Sequence, residues 1–169
     1  MLLSADELLW YFSYGSNMHP SIFVKRRGMC ALATRRARLD GFRLCFNLPV
    51  GPGERAVANV EPEPGARVWG VAYLITTAQA DRLDRTEGVH MGAYARVPVM
   101  VESDGDELIE AFTYRSHRTC EGRKPSARYM ELLLGGARTH SLPADYVSAL
   151  EAIELAWDER LAASKASLV

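Results

Sequence analysis

Residues 8–17 read LLWYFSYGSN, an apolar aromatic run that stops at a Gly-containing turn. The run is too short for a helix and rich in aromatic side chains, so it reads as a buried strand. Tyr14-Gly15-Ser16-Asn17 ends it. Gly15 carries no Cβ to hold a ligand away from the backbone. Backbone N–H groups that converge at such a turn bind carboxylates or oxyanions. Taken alone, these four residues read more readily as an ordinary strand end. Pro20, just beyond, suits the first positions of a short helical turn.

Outward from this strand the pattern stays mostly β for a hundred residues. Residues 37–48 form a strand with Phe42, Leu44 and Phe46 on one face, and 49–55 form a loop rich in Pro and Gly. Residues 56–60 and 68–75 read as two strands, with Pro62, Pro64 and Gly65 as a hairpin turn between them. Thr76 or Thr77 caps a short helix through Arg85, and Gly88 suits its C-terminal end. Residues 94–101 alternate as a strand in which Pro98 marks an edge or bulge. Asp104-Gly105-Asp106 turns the chain into a returning strand at 108–114.

The period then changes. Tyr129, Met130, Leu133 and Leu134 recur at helical spacing over 126–134, and Gly135-Gly136 is expected to break or loosen that helix. Pro143 opens another, with Tyr146, Val147, Leu150, Ile153 and Leu155 facing one way. The tail after Ala162 is small and polar and is expected to fray. The expected class is α+β, one domain over 1–169 with its core at about 8–155: a strongly twisted or barrel-like sheet with helices at its rim and end.

Composition excludes more than it assigns. The chain has 169 residues, 48% of them apolar, and a net charge of −1. That balance gives no global pull toward nucleic acid or anionic lipid. No apolar run is long enough to cross a bilayer, and Asp6 and Glu7 precede the first strand where a secretory signal would be basic. The expectation is a cytoplasmic protein. Cys30, Cys45 and Cys120 are odd in number and far apart, which suggests buried thiols rather than a disulfide framework. The four histidines and the cysteines lack metal-ligand spacing, so no metal site is expected, and phosphate-loop and dinucleotide fingerprints are absent.

Two side-chain readings remain open on the residues alone. Glu87 follows Leu83-Asp84-Arg85-Thr86 at a helix end, where the dipole disfavours a negative charge and helps raise a carboxyl pKa. A surface glutamate would look the same. Tyr11, Tyr14, Tyr94, Tyr114 and Tyr129 could each be core members with one satisfied hydroxyl. Lys25, Arg26, Arg27, Arg35, Arg36 and Arg38 read as a solvated basic face. Ser16 lacks a nucleophile elbow and a His partner.

The ordered set of motifs carries more than any one of them. Tyr-Gly-Ser-Asn at 14–17 is followed by Val-Trp-Gly-Val-Ala-Tyr at 68–73 and Leu-Asp-Arg-Thr-Glu-Gly-Val at 83–89. Then come a strand from Tyr94, Pro125-Ser126 leading to Tyr129, and Leu-Pro-x-x-Tyr at 142–146. This order resembles the γ-glutamylcyclotransferase family, in its Tyr-Gly-Ser-Asn branch, over roughly residues 10–155. The resemblance implies a compact mixed β-barrel with peripheral and C-terminal helices, and no metal or organic cofactor. It implies that Glu87 is the catalytic carboxylate and that Tyr11, Phe12, Ser13, Tyr14, Gly15, Ser16 and Asn17 bind substrate. Tyr129 and Tyr114 match pocket tyrosines. Met18 stands where the family often has Leu, and Ser13 where a small residue is expected.

The implied activity is intramolecular cyclisation of a γ-glutamyl amino acid or amide to 5-oxoproline, releasing the amine. Glutathione is disfavoured, because the glutathione-specific branch carries a different turn. The partner is then a small-molecule γ-glutamyl substrate, without nucleic acid or membrane, and a homodimer is left open. Two rivals stand beside this: a same-fold enzyme acting on a γ-glutamyl amine or γ-glutamyl-protected metabolite, and a non-catalytic binding module. The cyclase reading requires Glu87 to be less exposed than Asp84 and Arg85, close to a ligand at Gly15-Ser16, and raised in pKa.

Overall fold

The computed structural model describes residues 7–157. Five strands close into a barrel in the order β1-β3-β2-β4-β5. They are β1 (Leu8–Ser13), β2 (Ala33–Pro49), β3 (Ala56–Thr76), β4 (Ala95–Ser103) and β5 (Leu108–Arg115). Neighbours run antiparallel except β1 and β5, which meet in parallel at Tyr11 and Phe112, so the barrel is mixed. Among the described residues three α-helices lie outside it: α1 (Thr77–Thr86), α2 (Ala127–Thr139) and α3 (Ala144–Glu151). The frayed tail expected after Ala162 falls outside the described residues.

Alternation along the strands produces two cores. Phe12, Leu39, Val60, Val68, Val101 and Ile109, one face of each of the five strands, pack together inside the barrel. Tyr11, Tyr73 and Ile75 point the other way and pack with Leu83 of α1, Leu133 of α2 and Leu150 of α3. Fully burying a side chain of this size stabilises by about 1.5–3 kcal/mol.

Four expectations about the fold need correction. Residues 56–60 and 68–75 do not form a hairpin; they belong to one long strand, β3, that pairs with β2 on both sides of the Pro-Gly segment. Pairing slips between Asp40–Arg67 and Phe42–Pro62, so Gly41 alone faces residues 63–66. The prolines and Gly65, with φ of 83°, bend the strand instead of reversing it. The slip also switches which face of β2 points inward, from Ala37 and Leu39 to Phe42, Leu44 and Phe46.

The second correction concerns Gly135-Gly136, which α2 runs through unbroken. A Cβ at Gly136 would lie 2.6 Å from the Met18 Cβ, and one at Gly135 would lie 2.7 Å from the His19 ring. The pair lets α2 press against the segment after the Tyr-Gly-Ser-Asn turn. Third, α3 ends at Glu151, and Leu155 lies beyond it and is exposed. The cysteines differ too: Cys45 is buried, but Cys30 and Cys120 are exposed in loops.

Candidate active site

The end of β1, the turn after it and the C-terminal end of α1 enclose a pocket of about 130 Å³. Pockets for drug-sized ligands occupy about 300–1,000 Å³, so this one suits a small ligand or the head of a larger one. β1 is held in place by a close approach: a Cβ on Gly70 of β3 would fall 2.2 Å from the Ser13 carbonyl oxygen. Only glycine lets the two strands meet there, and the Phe12 ring covers the gap.

Asn17 organises the site. It is buried in a short 3₁₀ turn, Ser16–Met18. Its Nδ2 donates to Glu87 Oε1 at 2.7 Å and to the Tyr11 hydroxyl at 3.0 Å, while its Oδ1 accepts from Arg27 Nε at 2.7 Å. Its backbone carbonyl accepts from the Tyr73 hydroxyl at 3.0 Å. An amide with both ends committed cannot rotate without losing bonds, so Glu87 is held in one orientation.

Glu87 caps the C-terminus of α1, and Gly88 follows in the left-handed conformation with φ of 66°. The start of that helix is fixed by Thr76 and Gln79, which form a reciprocal capping box. The Glu87 side chain is 13% exposed against 24% for Asp84. Burial pushes its carboxyl above the ordinary value, and the Asp84 carboxylate adds to that. Arg27, 3.5 Å away, and the Asn17 hydrogen bond pull it partly back. Buried, paired and raised in pKa, this carboxyl can both take and return a proton.

Tyrosines line the rest of the pocket. β1 leaves β3 after Ser13, so near Ala58, which pairs with Phe46 of β2 on one side, the other edge of β3 has no strand beside it. Two hydroxyls satisfy its backbone instead: Tyr94 donates to the Ala58 carbonyl at 2.6 Å, and Tyr129 accepts from the Ala58 N–H at 3.1 Å. Burial, more than any neighbour, raises the Tyr129 phenol to about 12, so it keeps its proton at neutral pH. Tyr114 donates to Asp84 Oδ1 at 2.6 Å, and Arg96 Nε donates to the same oxygen at 2.7 Å. Tyr14 donates to the Tyr114 carbonyl. Gly15 has ordinary φ of −115°, so it is required for space: a Cβ there would approach the Tyr129 hydroxyl to 3.0 Å.

The structure therefore brings Tyr11, Ser13, Tyr14, Gly15, Ser16, Asn17, Glu87, Tyr114 and Tyr129 to one pocket. Phe12 is not among its walls; alternation turns its ring into the barrel, where it is fully buried. Arg27, read from the sequence as part of a solvated basic face, and Tyr94, given no site role there, are also on the wall. Arg27 follows a π-helical turn, Ser21–Arg26, in which its N–H reaches back to the Ile22 carbonyl. Lys25 and Arg26 stay exposed, and Arg27 faces Asn17. Within the basic stretch Arg36 pairs with Asp104 and Arg38 with Asp40 and Glu102. Among the described residues no group of His, Cys, Asp and Glu side chains could hold a metal ion. No helix there is long and apolar enough to cross a membrane.

Comparison with known proteins gives a consistent result. A family model described as the AIG2-like family matches residues 67–150. The gamma-glutamylcyclotransferase of Bos taurus is 31% identical over 152 residues, 88% of this chain and 80% of that protein. The gamma-glutamylcyclotransferase of Mus musculus is 33% identical over 155 residues with the same shares. A solved structure of a gamma-glutamyl cyclotransferase superposes with a TM-score of 0.80 at 29% identity, covering 88% of this chain and 89% of the other.

Proposed function

The chain belongs to the γ-glutamylcyclotransferase family, and from that membership we propose that it cyclises a γ-glutamyl amino acid or amide to 5-oxoproline with Glu87 as its acid–base group. The observation that carries this reading is the geometry of Glu87: a buried carboxyl with raised pKa, fixed by Asn17, in the pocket formed by the Tyr-Gly-Ser-Asn turn.

The reaction needs few parts. The substrate's α-amino nitrogen attacks its own γ-carbonyl carbon, a five-membered ring closes, and the bond to the departing amine breaks. Because the attack is intramolecular, selecting the folded conformer does much of the work; well-oriented reactions of this kind reach effective molarities of about 10⁵–10⁸ M. A pocket this small favours the folded conformer over the extended one.

The nucleophile begins as an ammonium and must lose a proton. An α-amino group has a pKa of about 8 and an ordinary glutamate one of about 4.3, so an unperturbed carboxylate is a poor base for it. Burial of Glu87 narrows that gap. Glu87 takes a proton from the attacking nitrogen and delivers it to the departing nitrogen, which cannot leave as an amide anion; the second proton that the ring nitrogen sheds as the lactam forms passes by way of Glu87 to the released amine, which leaves as an ammonium. The turn N–H groups at Gly15 and Ser16 hold the α-carboxylate. Arg27 balances the charge of ionised Glu87.

The test is a panel of γ-glutamyl dipeptides and γ-glutamyl amines incubated with the purified protein, with 5-oxoproline read by mass spectrometry. Release from at least one member is the expected result. Silence across the panel, alongside saturable binding of the same compounds, would replace the enzyme with a binding module. The spread of rates across the panel identifies the preferred departing amine.

A further inference from the structure

The mechanism above leaves one buried pocket group without a task. Ser13 ends β1, is 1% exposed and lines the pocket, yet among the described residues its Oγ has no hydrogen-bond partner. Leaving a buried hydroxyl unsatisfied is costly, and native proteins rarely do so without a reason. Ser13 shares a face of β1 with Tyr11, two residues earlier. No hydrogen bond of ordinary geometry joins them. The Tyr11 hydroxyl is already engaged by Asn17, the residue that also holds Glu87. Ser13 and Glu87 thus line the same pocket.

We propose that the Ser13 hydroxyl donates a hydrogen bond to the γ-carbonyl oxygen of the bound γ-glutamyl group and keeps it as that oxygen gains negative charge. The inference rests on the cyclisation reading of this pocket. A neutral hydroxyl suits a neutral carbonyl oxygen in the ground state, whereas the α-carboxylate is better served by backbone N–H groups near Arg27. A donor already in place when charge develops stabilises the transition state more than the substrate. The scaffold holds it rigidly: a Cβ on Gly70 would meet the Ser13 carbonyl at 2.2 Å, and the Thr113 hydroxyl donates to the neighbouring Phe12 carbonyl at 2.7 Å.

The test is Ser13→Ala, which removes one buried oxygen and adds no bulk. With a γ-glutamyl substrate that wild type turns over, kcat should fall about 100-fold with KM within about twofold, as for loss of one oxyanion donor. The melting temperature of the free protein should stay level or rise, because an unsatisfied hydroxyl has been removed. A purely structural serine would lower the melting temperature instead, and that outcome overturns the proposal. So does a kcat within twofold of wild type, or a rise in KM with kcat unchanged. An inactive wild type would contradict the cyclisation reading itself, which separates the two failures.

Discussion

At the scale of single residues, the site depends on Asn17 as much as on Glu87. Its amide donates to the carboxyl, so it favours the ionised form, and it fixes the position from which Glu87 reaches a proton. Asn17→Ala removes both effects. Losing a hydrogen bond to the charged form raises a carboxyl pKa further, so the acidic limb of the kcat/KM profile should move to higher pH. At the optimum kcat should fall about 10- to 100-fold, because Glu87 is no longer oriented. A pH–rate series on the variant checks this, and an acidic limb that moves down would contradict it. Glu87 was legible as a candidate from its place at a helix end and its Glu-Gly neighbour. Arg27 was not: it sits third in a run of basic residues, and counting charges cannot show that a π-helical turn swings the last of them inward while Lys25 and Arg26 stay outside.

At the scale of elements, what matters is how closely helices approach the turn. Gly135-Gly136 reads in sequence as a helix breaker, because glycine has low helix propensity. The structure gives the pair a packing role. With no side chain at Gly136, α2 lies against Met18 and His19 and backs the turn that carries Asn17. Gly136→Ala keeps or improves helix propensity but drives a Cβ to 2.6 Å from the Met18 Cβ and 2.7 Å from its carbonyl carbon. Overpacking of this kind costs about 1–3 kcal/mol. Chemical denaturation should show that loss together with a rise in KM, since the turn must shift; a variant more stable than wild type would mean that propensity outweighs the contact. Most strands were legible because alternation and turn residues are local signals. The continuity of β3 was not, since Pro62, Pro64 and Gly65 look like a reversal until the pairing with β2 on both sides is seen.

At the scale of the whole molecule, the barrel brings distant segments together. Glu87 comes from the end of α1, Asn17 from the turn after β1, Tyr129 from α2 and Tyr114 from the end of β5. No spacing in the sequence encodes their meeting. Closure of the sheet does, through the parallel contact of β1 with β5 at Tyr11 and Phe112. The α+β barrel class followed from strand count and the late switch to helical period. The place of Tyr94 on the pocket wall did not, because it answers with Tyr129 a strand edge at Ala58 that only the three-dimensional sheet creates. The central claim is that the buried carboxyl at position 87 moves the proton. Glu87→Gln keeps the shape of the side chain and an oxygen to accept from Asn17, but it cannot exchange a proton near neutral pH. The direct measurement is 5-oxoproline release by wild type and Glu87→Gln on the best γ-glutamyl substrate. The variant should fold and bind substrate as wild type does, with kcat lower by about 10²–10⁴-fold. Release at close to the wild-type rate would contradict the account.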